Sequence, residues 1–268
     1  KAQQGHLKGV PIKNPLSQDQ ERMRPSMLPS LLTAVQTNVN RGYKNLRFFE
    51  MGKIYSSRGE TGVVSMICTG MLENDWRSLD KKEMDFYDVK GILNHALQAA
   101  GVENLYYESN DEKHFEPGQA ATIKSGNNIM GTIGRINEEV LSAFDIRQDN
   151  VYFAQAELND LYKKAKIERT FEAMSEYPNV VRDLSLEVSK DVMYRQIELI
   201  ARSLGGKALL DVQFRELYMG DKISKGKKGI IFSLIFQSRE RTLREEEVSE
   251  ATEKILKKLS EDLAVVQR

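Results

Sequence analysis

Residues 184–188, Leu184-Ser185-Leu186-Glu187-Val188, alternate apolar and polar side chains, the period of a strand with one buried and one open face. The pattern holds together outward from there. Tyr194, Ile197, Ile200, Ala201 and Leu204 recur at helical spacing, and Gly205-Gly206 closes the run. Leu209–Tyr218 and Ile230–Gln237 read as two more strands, joined by a loop carrying Asp221, Lys222, Lys225, Lys227 and Lys228. Thr242-Leu243-Arg244-Glu245 fits a capping box, which starts a helix that runs to about Leu259, and Leu263–Val266 supply a last strand. Strand–helix–strand–strand–helix–strand is the ferredoxin-like split unit.

Upstream the pattern changes. A polar stretch, Lys163-Lys164-Ala165-Lys166, leads through Thr170-Phe171-Glu172 to Tyr177-Pro178, so the expected domains are 1–173 and 174–268. In the first, Pro29 sits in the first turn of a helix whose stripe is Leu28, Leu31, Leu32, Val35 and Val39, with Gly42 as its stop. Leu46–Tyr55, Val63–Thr69 and Val151–Leu158 read as strands, and Ser125-Gly126-Asn127-Asn128 turns a hairpin between Ala120–Lys124 and Ile129–Ile136. Asp85 caps a second helix, ended by Gly101. Strands and helices of both kinds make the fold class α+β.

The 268 residues hold 39 Lys+Arg against 39 Asp+Glu, so a polybasic chain that binds nucleic acid through bulk charge is excluded. Hydrophobic residues at 40% are enough for one or two cores. One cysteine, Cys68, excludes a disulfide framework and fits a reducing, cytoplasmic setting. No apolar run approaches the ~20 residues of a membrane helix.

No catalytic or metal constellation emerges. Gly126, Gly131 and Gly134 lie in a hairpin rather than between strand and helix, and no Gly-Lys-Ser/Thr follows. His6, His95 and His114 are too scattered for metal ligation, and His95 reads as a structural histidine between Leu93 and Leu97. Asp85 and Asp88 are explained as a cap and a first-turn acid. Residues 175–268 hold 17 Lys+Arg against 16 Asp+Glu, yet the signs are segregated. Lys222, Lys225, Lys227 and Lys228 share one loop, and Arg239, Arg241 and Arg244 share the next. Two readings stay open: solvated loops, or a phosphate-contacting rim beside a sheet face that bears Tyr218. Lys228-Gly229-Ile230-Ile231-Phe232 faintly echoes an RNA-recognition strand, with Ile230 where a stacking aromatic is expected.

Tyr177-Pro178-Asn179-Val180-Val181-Arg182-Asp183-Leu184-Ser185-Leu186 resembles the entry to the anticodon-binding domain of bacterial-type phenylalanyl-tRNA synthetase beta subunits. Leu217-Tyr218-Met219-Gly220, Gly226-Lys227-Lys228, Arg241-Thr242-Leu243 and Glu245-Glu246-Glu247-Val248 agree in order. Upstream, Arg24-Pro25-Ser26-Met27-Leu28-Pro29, Asn38-Val39-Asn40-Arg41-Gly42, Phe49-Glu50-Met51-Gly52-Lys53 and Asp85-Phe86-Tyr87-Asp88-Val89-Lys90-Gly91 resemble that subunit's synthetase-core-like module. Three departures stand out. Glu116 replaces a usual His, Arg215-Glu216 replace a frequent Phe-Asp, and Gly229 replaces a frequent Ser.

The resemblance implies an antiparallel class II synthetase-like sheet module without catalytic residues, followed by a ferredoxin-fold anticodon-binding domain. It implies a C-terminal portion of a beta subunit whose editing region lies upstream. The partners implied are an alpha subunit, in an α2β2 heterotetramer, and tRNA. The reaction implied is ATP-dependent charging of tRNA with phenylalanine, with ATP and magnesium used by the whole enzyme and no cofactor or metal in this part. By the same resemblance, Ser185, Tyr218 and Gly229 face the anticodon, with Lys227, Lys228 and Arg241 as further tRNA-binding candidates. An amino-acid-sensing regulatory domain and a free-standing RNA-binding regulator are the rival classes.

Overall fold

The computed structural model describes residues 9–17, 21–72, 82–165, 171, 173–220 and 223–268. His6, Lys166, Thr170, Glu172, Asp221 and Lys222, named above, lie outside them. The chain divides into two compact units, Lys1–Arg169 and Thr170–Arg268.

The first unit runs α1 (Leu28–Asn40), β1 (Leu46–Ser56), β2 (Gly59–Thr69), α2 (Phe86–Ala99), β3 (Leu105–Ser109), β4 (Phe115–Ser125), β5 (Asn128–Ile136), α3 (Glu138–Ala143), β6 (Val151–Glu157) and α4 (Leu158–Lys164). Its strands form one antiparallel sheet in the order β1-β2-β6-β5-β4-β3. Helix α1 buries Leu28, Leu31, Leu32 and Val35 at the spacing its sequence set. Gly42, at φ +91°, takes the left-handed turn that ends it, its N–H bonding to the Val39 carbonyl. Helix α2 starts on a reciprocal box: the Asp85 carboxylate accepts from the Asp88 N–H and the Asp88 carboxylate from the Asp85 N–H, both at 2.9 Å.

Both faces of this sheet are covered. On one, α1 packs with Val63, Ile67, Phe115, Ile136, Val151 and Phe153. On the other, α2 packs with Cys68, Ile123, Met130, Ile133, Tyr152 and Ala154. Burial pushes the Cys68 thiol up to about 11, as its apolar strand foretold. His95 departs from expectation: it is exposed, on the outer side of α2, because Val89, Leu93 and Leu97 make the face turned to the core.

The second unit runs β7 (Val180–Ser189), α5 (Tyr194–Leu204), β8 (Leu209–Tyr218), β9 (Lys227–Phe236), α6 (Glu245–Leu263) and β10 (Val266–Gln267), in the sheet order β10-β7-β9-β8. Leu184, Leu186 and Val188 of β7 and Ile230, Phe232, Leu234 and Phe236 of β9 pack against Ile197, Ala201, Val248, Ile255 and Leu259 of the helices. The helices occupy one side of the sheet, and the residues between those core positions look the other way. Two expected boundaries shift. Thr242 is not the cap of α6; Arg244 is, its N–H donating to Glu247 Oε2 at 3.0 Å, so the box uses an acid two residues further in. Leu263 closes the helix instead of opening a strand, and Ala264 turns the chain at φ +49°.

Candidate nucleic-acid interface

The face without helices gathers three of the candidate residues. Tyr218, the last residue of β8, pairs across the ladder with Gly229 of β9, which pairs in turn with Glu187 of β7. Gly229 has no side chain, so the Tyr218 ring lies down over its backbone. A Cβ built at 229 would stand 2.2 Å from the ring's Cζ. The ring then reaches across β9 to β7, where its hydroxyl meets Ser185 Oγ at 3.2 Å. The tyrosine is half-buried and its hydroxyl tied, so the ring is a fixed plate rather than a swinging arm. The missing side chain at Gly229 is what lets it lie flat. Ile230, by contrast, is fully buried on the helix side, so the echo of an RNA-recognition strand has no exposed counterpart there.

Beside this plate the cations are held by contacts. Lys227 Nζ lies 3.5 Å from Glu187 Oε1, while Lys228, paired with the core residue Val188, alternates to the helix side, where its Nζ donates to the Lys190 carbonyl at 2.7 Å. Glu187 is 5% exposed and also takes Arg268 Nη2 at 3.0 Å. The Ser224 hydroxyl, then Arg268 and Lys227, hold its carboxyl below the usual glutamate range. A group with a depressed folded-state value stabilises above its unfolded value, and the contribution fades as pH falls. Acid melts of the wild type and of Glu187→Gln should therefore converge below about pH 4, with the variant melting lower near pH 7. A constant gap across that range would remove Glu187 from the acid sensitivity of this unit.

Arg241 is not brought to this place. It follows the far end of β9, and Gly229 to Phe236 alone spans about 23 Å at ~3.3 Å per residue. Its guanidinium is clamped by both oxygens of Glu247, at 2.8 and 2.6 Å, and that carboxyl is held down to about 2. The lysine loop and the arginine segment thus lie at opposite ends of β9. They do not form one rim.

The sequence reading missed a second arrangement on the same face. Arg215 Nε donates to Ser233 Oγ at 2.7 Å, and that hydroxyl lies 2.5 Å from Asp183 Oδ1, to which it donates. The relay crosses three strands. Its one signal in the sequence is Ser233, a lone hydroxyl in the run Ile230–Phe236.

The described residues of the first unit line clefts without a reactive grouping. Two of these clefts, about 290 and 390 Å³, are lined by residues such as Glu112, Glu116 and Asn137, and Arg135, Ser142 and Gln148. His114 stacks beside Phe115 at 4.1 Å, and burial lowers its pKa against the opposing pull of Glu112. Among the described residues, no group of three His, Cys, Asp or Glu stands close enough to hold a metal ion. No helix there is long and apolar enough to cross a membrane.

Comparison with known proteins divides the chain at the same place. The family model described as "Phenylalanyl tRNA synthetase beta chain CLM domain" matches residues 2–158, and "Ferredoxin-fold anticodon binding domain" matches residues 175–268. A phenylalanine–tRNA ligase beta subunit from Clostridium tetani is 33% identical over 264 residues, 97% of this chain and 32% of that protein. The beta subunit from Fusobacterium nucleatum is 32% identical over 256 residues, 92% of this chain and 32% of that protein. The chain spans about a third of the length of the curated relatives it matches. A pyrrolysyl-tRNA synthetase structure from Desulfitobacterium hafniense aligns over 56% of this chain and 51% of that one, at TM-score 0.44 and 16% identity.

Proposed function

The chain belongs to the phenylalanyl-tRNA synthetase beta chain family, and from that premise we propose that its second unit grips the anticodon loop of tRNA while its first unit braces the catalytic alpha subunit. The observation that carries this reading is the Tyr218 ring laid over Gly229 and tied to Ser185. A fixed aromatic on an open sheet face is a stacking platform, sequence-tolerant in itself because every base has a π-face. Lys227, on the same face as Gly229, stands at the rim of that platform for the adjoining backbone, whereas Lys228 alternates to the helix side. Ser185, with its small side chain, leaves a base room to approach β7.

The first unit supports a bracing role rather than a catalytic one. Apolar side chains under α1 and α2 occupy much of both sheet faces, which supports a packing role rather than the binding of ATP or magnesium. In the assembled enzyme those are bound by the alpha subunit, in an α2β2 tetramer, and phenylalanine is joined to tRNA there. Helix α1 and the adjoining strand β1, whose Phe49 is 75% exposed and Met51 56% exposed, offer the bracing surface.

Filter binding of the full chain to phenylalanine tRNA and to a tRNA of unrelated anticodon tests the anticodon reading. The expected result is at least a ten-fold preference for the phenylalanine tRNA, lost when its anticodon is exchanged. Equal binding of both, or tight binding of free amino acid without RNA, would sink it in favour of a general RNA-binding or amino-acid-sensing module.

A further inference from the structure

We propose that Arg215 reads a base edge: it recognises a guanine lying next to the base stacked on Tyr218, a specificity contact that rests on the anticodon reading above. Four observations lead there. First, the guanidinium is exposed but anchored. Its Nε donates to Ser233 Oγ at 2.7 Å, and the fully buried Ser233 is itself fixed by donating to Asp183. With the Ser233 proton committed to the carboxylate, its lone pairs point at Arg215, so the two bonds reinforce each other.

Second, anchoring through Nε leaves the two terminal amino groups for a ligand. No carboxylate lies within ion-pair distance of them among the described residues. A guanidinium fork held in one plane matches two adjacent acceptors, the pattern a guanine presents through O6 and N7.

Third, the position is right. Ser233 and Asp183 face each other across β9 and β7, as do Ile231 and Ser185 two residues along. One strand repeat, about 7 Å, therefore separates the Arg215 anchor from the Tyr218–Ser185 contact. That is the reach of the same base or its neighbour.

Fourth, the charge favours a base over a phosphate. Asp183 sits behind Ser233, and Glu216 pairs opposite Ile231 on the same face. The Asp183 carboxylate offsets the guanidinium's charge, which disfavours a phosphate diester but leaves an uncharged acceptor edge attractive.

The test uses the full chain and anticodon stem-loop RNAs in which each loop base is replaced in turn. For the wild type, one loop position should favour guanine over adenine by roughly 5- to 150-fold, the worth of a bidentate contact. Arg215→Ala should erase that preference and leave the others, with at most a small drop in melting temperature, since the exposed side chain gives up one bond, to Ser233. Arg215→Lys keeps the charge without the fork and should not restore it. An identical preference profile in Arg215→Ala overturns the inference. So does a uniform loss for all sequences with a shallower salt dependence, which would make Arg215 a phosphate contact. Should the wild type fail to distinguish the stem-loop from an unrelated hairpin, the anticodon reading fails and this inference falls with it.

Discussion

Leu32→Asp unfolds the first unit. Leu32 is fully buried at the centre of α1's inner stripe, among Leu28, Leu31, Val35, Val63 and Phe153. Losing a buried leucine costs about 2–5 kcal/mol in transfer and cavity terms. An aspartate there has no partner, so it either stays charged at a further cost of several kcal/mol or binds a proton at a raised pKa. The sum rivals the ~5–15 kcal/mol that holds a domain together. Thr33→Asp, one residue on and exposed, is the control and should melt within about 0.5 kcal/mol of the wild type. Circular dichroism melts and limited proteolysis measure both. An unchanged first-unit transition in Leu32→Asp would mean that α1 does not dock as described.

Tyr218→Ala has the second largest effect, on binding rather than folding. The ring rests on Gly229 and makes one side-chain bond to Ser185, so removing it should lower stability by no more than about 1.5 kcal/mol. Loss of the stacking plate should weaken phenylalanine tRNA by about 1–3 kcal/mol. Gly229→Ala tests the same plate without touching the tyrosine. Its Cβ would need space the ring occupies, at 2.2 Å, so the ring must lift and give up Ser185. The two variants should lose similar affinity, and the double variant little more than either. Tyr218→Ala with a much lower melting temperature and unchanged anticodon preference would make the ring a packing element instead.

The second unit was legible because its core is built by simple periods. Leu184, Leu186 and Val188 alternate along β7, and α5 repeats its apolar residues at helical spacing, so element order followed and the span of β8 was read to the residue. The first unit was less so. Strand β3 is short and lies at the sheet edge, with Tyr106 and Tyr107 only partly buried, so no clean alternation marks it. The short helices α3 and α4 carry one or two core residues each, too few to make a stripe. The site divides in the same way. Ser185 and Tyr218 came from a family likeness, whereas the ring over Gly229 and the Arg215–Ser233–Asp183 relay join residues up to 50 apart in the chain. No local pattern encodes contacts across three strands. The same blindness merged two basic segments that β9 holds apart.

Strand β2 closes the first unit's sheet only when β6 arrives. The hydroxyl of Ser65 and the amide oxygen of Gln155 meet across 90 residues of chain, and the same two strands carry the ladder from Val63 to Thr69. A ribosome adding about 5–20 residues per second needs several seconds to supply that partner. During that interval the β1–β2 hairpin stands in the cell with one long edge unpaired and Val63, Ile67 and Cys68 uncovered. Its neighbour in the finished sheet is among the last pieces of the unit to be made, which turns the order of synthesis into a window for chaperone capture. The first unit is therefore the slow partner in biogenesis. The second unit's β8 and β9 are separated by a single loop and meet almost as soon as they emerge.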